Sequence, residues 1–171
     1  MPPHTFGPAS RRARHGRRQQ RGASAVELAL VSLILFPLLM GIIEYGLWFN
    51  DSLSVRQGVR EAARSGVVKN FNYTGCGGND MAKLACKAKA QIGAITGNTY
   101  VKITTPQGWT KAQPLVVCAM VRSSVLGLVP LPNDRMITSR TEMSIEVTDT
   151  TPNALSYTDA PPAGTSWSWC T

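Results

Sequence analysis

An uncharged apolar run from Leu28 to Ile43 is the feature that most constrains this chain. With its flanks, the run reaches the roughly 20 residues that an α-helix needs to cross the hydrocarbon core of a bilayer. Six arginines and no acidic residue lie before it, within residues 1–22. Because positively charged flanks tend to stay on the cytoplasmic side, we expect a cytoplasmic N-terminus and an exported remainder. The sequence therefore predicts a single-pass protein of the cell membrane, with the lipid bilayer as a partner.

The apolar run has two other interpretations, a buried core helix and a secretory signal peptide. The adjacent arginines and the lack of other strongly apolar helices disfavour a core helix. A signal peptide needs a small-x-small cleavage site shortly after the run, whereas the Ala-x-Ala next to the run, Ala23–Ala25, lies before it. Tyr45, Trp48 and Phe49 follow the run, where an aromatic belt would meet the lipid headgroups. We expect the segment to stay attached to the mature protein.

The net charge of +8 belongs mainly to the first 22 residues, which carry six arginines, and the rest of the chain carries only +2. This partition argues against nucleic acid as a partner, because no basic surface of the body is predicted. The only histidines are His4 and His15, so the exported part lacks the imidazole of most catalytic triads and zinc hydrolases. No phosphate loop or nucleophile–base pair is present. We expect no catalytic activity, no metal and no cofactor.

Helical periodicity continues beyond the apolar run. The residues that share one apolar face are Val55, Val59, Ala62 and Ala63. Arginines repeat every four residues on another face, at Arg56, Arg60 and Arg64. The pattern predicts one helix over 23–68, with a kink at Pro37 because proline removes an amide donor and clashes with the preceding turn.

The remainder, residues 69–171, alternates between helix and strand signals. We predict a second helix from Met81 to about Ile95, capped by Asn79 or Asp80, in which Lys83, Lys87 and Lys89 form a solvated face. Strand periodicity is present over Tyr100–Thr104, Leu115–Val121 and Thr138–Val147. Leu126–Asp134 reads as a crossing loop with exposed apolar residues. The predicted fold class is α+β, with three segments: a leader (1–22), a long helix (23–68) and an extracytoplasmic domain with a three- to four-stranded antiparallel sheet (69–171).

Four cysteines, all after residue 75, indicate an oxidising compartment. None forms a C-x-x-C pair, which disfavours a structural zinc site, and free buried thiols are the other alternative. Three disulfide pairings are possible. On proximity along the chain we prefer Cys76 with Cys86 and Cys118 with Cys170. The second bond would tether a polar, proline-rich tail, Thr148–Ser166, whose end we expect to pack on the domain through Trp167 and Trp169.

The junction between leader and helix carries a distinctive motif. Gly22 and Ala23 are followed by Glu27 and then by the apolar run, which is the pattern of a prepilin-peptidase site. A carboxylate at the start of a membrane helix is costly and therefore indicates a function. If the bond after Gly22 is cut, Ala23 gains a free amine with which Glu27 of a neighbouring subunit could pair. The plainer interpretation is a first-turn glutamate that interacts with the helix dipole.

With its surroundings, this motif resembles the TadE-like family, minor pseudopilins of tight-adherence (Flp-type) pili. The resemblance rests on Arg21–Ala23, Ala25–Leu30, Pro37, Gly41–Gly46 and Gly58–Gly66. It implies cleavage after Gly22 by a prepilin peptidase, residence in the membrane, and a non-enzymatic role in pilus assembly or secretion. The implied partners are the peptidase, other pilin or pseudopilin subunits and the assembly machinery.

Glu44 is a second acid at the membrane edge. It could contact another pilin subunit, but we favour a position at the interface with its carboxylate in water. The alternative function for the whole chain is a membrane-anchored extracytoplasmic binding module unrelated to pili, which would recognise its partner through the tryptophan-bearing tail or the apolar loop.

Overall fold

A computed structural model describes residues 16–125, 127 and 130–171, with only the backbone over 16–21. Its helices and strands are α1 (Gly16–Val67), α2 (Asp80–Ile92), β1 (Thr99–Thr104), β2 (Pro114–Arg122), β3 (Met136–Ser144) and β4 (Ser156–Thr158). The strands form one antiparallel sheet in the order β3-β2-β1-β4. The predicted α+β class is confirmed. The chain divides into two compact units, Met1–Gly41 and Ile42–Thr171, and we call the second unit the head.

Helix α1 begins at Gly16, earlier than the predicted start at Ala23. Residues 17–21 are arginine and glutamine, which favour helix and provide no stop signal. The helix assignment is continuous through Pro37 and ends at Val67. Lys69 then adopts a φ of 59°, and its amide donates to the carbonyl of Gly66 at 2.9 Å. This left-handed residue ends the helix close to the predicted position.

The core of the head lies where α1, α2 and one face of the sheet meet. The α1 residues predicted to share an apolar face are completely buried, as are the α2 residues that face the same cluster: Val55, Val59, Ala62, Ala63, Leu84, Ala85 and Ala88. From the sheet, Val101, Ile103, Val117 and Val121 join them. The amphipathic faces read from the sequence are therefore the surfaces that pack together.

Helix α2 is shorter than predicted, because it ends at Ile92 and not near Ile95. Gly93 follows in the left-handed conformation, at φ 50° and ψ 43°, and its amide donates to the carbonyl of Lys89. Glycine adopts this conformation without a Cβ penalty and commonly terminates helices. At the other end, the Asn79 side chain accepts a 2.7 Å hydrogen bond from the amide of Ala82, as an N-cap does.

Strand β2 is buried on both faces, which explains its nearly continuous apolar sequence. One face contributes to the main core, and the other packs Val116, Cys118 and Met120 against Trp167 and Cys170 of the tail. The expectation that the tail end packs on the domain is confirmed. The tail also contains β4, a strand that the sequence analysis did not predict, because three residues of Ser-Tyr-Thr carry no readable alternation.

Gly58 offers a test of the α1–α2 packing. A Cβ atom at this position would overlap the Ile92 side chain and lie 2.9 Å from the Ile92 backbone nitrogen, whereas one at Gly46 in the same helix would meet nothing within 4 Å. Both Gly→Ala changes gain similar helix propensity, but only Gly58→Ala overpacks the core. We expect Gly58→Ala to be less stable than Gly46→Ala by about 1–3 kcal/mol, measured by chemical unfolding in detergent. Equal stability of the two variants would contradict this close approach.

Candidate functional site

The predicted processing residues lie on the exposed N-terminal part of α1. Gly22, Ala23 and Glu27 are all exposed, and a Cβ at Gly22 would meet nothing within 4 Å. Ala23 and Glu27 are four residues apart in one helix, so their side chains share a face. Because the bond between Gly22 and Ala23 is helical here, a peptidase that binds extended backbone would first have to unwind this turn.

The helix beyond Glu27 exposes apolar side chains all around its circumference. The most exposed among them are Leu28, Leu30, Leu33 and Ile34, at 65–73%. Gly22–Val67 is the one candidate span among the described residues, with a mean hydropathy of 2.5 over its most apolar window, none of which is buried. Contact of such an apolar surface with water is unfavourable, whereas lipid tails provide an apolar environment for it. Its length and apolarity suit a single membrane anchor.

Our prediction that the Glu44 carboxylate lies in water is wrong. It is only 4% exposed, and its Oε1 accepts a hydrogen bond from the backbone amide of Gly127. A buried carboxylate requires such donors because desolvation otherwise penalises its charge. Glu44 therefore belongs to the head and not to a water-facing interface.

The chain around Gly127 is the predicted crossing loop. Leu131, expected to be exposed, is 9% exposed and belongs to the buried apolar residues. Leu126, Leu128 and Val129 lie outside the described residues. Of the three aromatic residues predicted to form a belt, Tyr45 and Phe49 are about half exposed, whereas Trp48 packs against the main core.

Asp51 is the polar residue that the sequence analysis missed. It is completely buried in the head and accepts three hydrogen bonds, from the amide of Ile95 (3.0 Å) and from the amide and hydroxyl of Thr96 (2.8 and 2.6 Å). These bonds fix the loop that follows α2 against α1. A signal was available, since Asp51, Val55 and Val59 recur at four-residue intervals and so share the buried face.

Both disulfides are present in the structure, with the pairing preferred from proximity. Cys76 is bonded to Cys86, and Cys118 in β2 is bonded to Cys170 in the tail. The second bond secures the tail over the outer face of β2. Among the residues that the structure describes, no group of three metal-ligating side chains is found.

Asp159 is a second contact that fixes the tail. Its carboxylate accepts from Lys89 Nζ at 2.9 Å, from the Tyr157 hydroxyl at 2.9 Å and from the amide of Val101 at 2.7 Å. Its carbonyl accepts from Trp167 Nε1 at 3.0 Å. The tail is thus joined to α2 and β1 by polar bonds in addition to its disulfide.

The predicted solvated face of lysines on α2 is wrong for Lys87, whereas the side chains of Lys83 and Lys89 remain 32% and 37% exposed. Lys87 is 8% exposed, and Lys89 is paired with Asp159. Burial lowers the pKa of Lys89, but the hydrogen bond and the charge of Asp159 outweigh it, so the pKa lies above its ordinary value of 10.5. Burial, together with Asp159, raises the pKa of Tyr157 above 10.0.

The buried bonds of Asp51 lead to a stability prediction. Asp51→Ala leaves two amides and one hydroxyl without their acceptor, so we expect unfolding in urea to become easier by about 3 kcal/mol. Asp149→Ala is the matched control, because that side chain is 73% exposed. A loss for Asp51→Ala no greater than for Asp149→Ala would show that the loop is held by other contacts.

The tail contacts predict a pH dependence. Folding raises the pKa of both Lys89 and Tyr157, so the stability that they contribute is fully present below pH about 10 and is lost as pH rises through the folded-state values. We expect the melting temperature to fall above pH about 10, and to fall less steeply in Lys89→Met. Lys111→Met, at an exposed site, should retain the wild-type slope. An identical slope in all three proteins would refute the assignment.

Comparison with known proteins identifies one family. The model of the TadE-like protein family matches residues 22–64, about a quarter of the chain. No curated protein and no solved structure matches the chain. The matched segment contains Gly22, Ala23, Glu27 and Glu44, together with the exposed apolar helix. The resemblance to the TadE-like family is thereby confirmed over residues 22–64.

Proposed function

We propose that this chain is a minor pseudopilin of the TadE-like type, cut by a prepilin peptidase after Gly22 and engaged in the assembly of a tight-adherence pilus or a related secretion system. Its partners would be the peptidase, other pilin or pseudopilin subunits and the assembly machinery. We assign it no catalytic role. Its N-terminus would be cytoplasmic before cleavage, and the head extracytoplasmic and associated with the pilus.

The observation that supports the proposal most strongly is where the family match begins. It starts at Gly22, directly after the arginine-rich leader and at the residue before the predicted cut. The matched segment then runs through the part of α1, up to Ile43, whose apolar side chains are exposed on every side. A helix of this kind is suited to remain in lipid until other apolar helices replace the lipid around it.

Glu27 has a defined place in this proposal. It is exposed and lies one helical turn after Ala23. An ionised carboxylate in an apolar environment is stabilised by a nearby positive charge. Cleavage would create such a charge at Ala23, and the amine of one subunit could then pair with Glu27 of the next.

N-terminal sequencing of the protein purified from membranes tests the cleavage. We expect a mature protein that begins at Ala23 and a full-length precursor when Gly22→Leu blocks access to the peptidase cleft. Gly46→Leu is the matched control, because this glycine lies in the same helix with open space around it, and it should be processed normally. A wild-type protein that retains Met1, or that is cut beyond residue 45, would overturn the proposal.

Glu27→Gln separates processing from assembly. This variant should still be cut after Gly22, because the scissile bond is unchanged, but its cross-linking to neighbouring subunits in the membrane should decrease severalfold. Unchanged cross-linking of the cut variant would mean that Glu27 does not pair with the new amine. A wild-type protein that is neither cut nor cross-linked would favour the alternative of an anchored binding module unrelated to pili.

A further inference from the structure

A groove of about 380 Å³ lies within the head, at the end of β2 and the start of β1. The residues that line it are Gly97, Asn98, Tyr100, Arg122, Ser123 and Ser124. They include one guanidinium, one phenol ring and one amide. Grooves of a few hundred Å³ with several convergent polar groups are the usual form of small-ligand sites.

The loop that forms one wall of the groove is rigidly held. Asp51 fixes the amides of Ile95 and Thr96 from the side of α1. The amide and the hydroxyl of Ser124 both donate to the carbonyl of Thr96, at 2.8 and 2.6 Å. Because both sides of the loop are bonded, the wall is formed before any ligand arrives, which lowers the entropic cost of binding.

Gly97 brings this wall directly against β2. A Cβ atom at residue 97 would overlap the backbone carbonyl of Arg122 and lie 3.5 Å from the nitrogen of Ser123. Only glycine permits this contact. Ser123 is 3% exposed, and its hydroxyl has no hydrogen-bond partner among the described residues.

The polar groups around the groove have unused bonding capacity. Arg122 uses Nη1 to donate to the carbonyl of Ala163 in the tail at 3.0 Å, and no carboxylate in the described part of the chain pairs with it. That bond orients the guanidinium and leaves its other N–H donors available. Guanidinium groups bind carboxylates with two parallel hydrogen bonds.

We propose that this groove binds a sugar acid, that is, a monosaccharide unit that bears a carboxylate. The carboxylate would bond Arg122, the apolar face of the sugar ring would lie on the ring of Tyr100, and the ring hydroxyls would bond the amide of Asn98. The volume suits one sugar unit. The inference does not depend on cleavage after Gly22 or on pilus assembly.

The test is titration calorimetry with the full chain in detergent micelles. Glucuronate should bind, glucose should bind at least tenfold more weakly, and Arg122→Gln should weaken glucuronate binding at least tenfold. Arg140→Gln is the matched control, since Arg140 is exposed on β3 and paired with Glu142 at 2.8 Å, and its affinity should be unchanged. Asn98→Asp, at an exposed site, is a second variant. It should weaken glucuronate binding, because its carboxylate repels the carboxylate of the ligand.

The titrations distinguish a polymer from a free sugar acid as the source of the carboxylate. Tighter binding of an oligoglucuronate than of glucuronate supports a polymer as the source, and equal binding supports the free sugar. Acetate that binds as well as glucuronate would overturn the sugar assignment. Absence of glucuronate binding by a folded wild-type protein, or an equal loss in Arg122→Gln and Arg140→Gln, would overturn the proposal altogether.

Discussion

Helix α1 must suit two different environments along its length, and the packing of the rest of the head depends on this constraint. From Val26 to Ile43, α1 exposes apolar side chains on every side, and from Glu44 onward one stripe of the helix turns inward. The stripe includes two carboxylates, Glu44 and Asp51, which are buried at 4% and 0% exposure. Burial of an unpaired carboxylate costs several kcal/mol, so backbone amides of the loops must reach both groups. The loops at residues 95–96 and 127 are positioned by this requirement.

The elements that could be predicted are those whose periodicity is long enough to read. The faces of α1 and α2 and three strands follow from apolar spacing. The packing of Trp167 follows from its place beside Cys170, and the cysteine pairing follows from proximity along the chain. The boundaries were harder, because α2 ends at Ile92, where the left-handed Gly93 that follows stops the helix within an otherwise continuing pattern. β4 was missed because three residues carry no period, and its place at the edge of β1 is held by Asp159.

The buried polar contacts could not be predicted in the same way, because their stability depends on partners far along the chain. Asp51 bonds residues 44 and 45 positions away, and Glu44 bonds one 83 positions away. From composition alone, an acid near an apolar run is expected to face water, and this reasoning misplaced Glu44. Extending the four-residue stripe of Val59 and Val55 back to Asp51 would have placed that acid correctly. The candidate cleavage residues, in contrast, form a local motif, and they could be recognised without any knowledge of the fold.

Because the tail covers β2, the head can finish folding only after the tail has been synthesised. The outer face of β2 is apolar, and its cover includes Trp167 and Cys170, which is bonded to Cys118 and lies 52 positions after it. During synthesis, β2 therefore emerges long before the segment that shields it. Until that segment is in place, Val116 and Met120 form an exposed apolar surface with which a neighbouring chain can associate. Folding of the head is complete only when this last covering segment arrives, so premature association of incompletely folded chains is a hazard inherent in this topology.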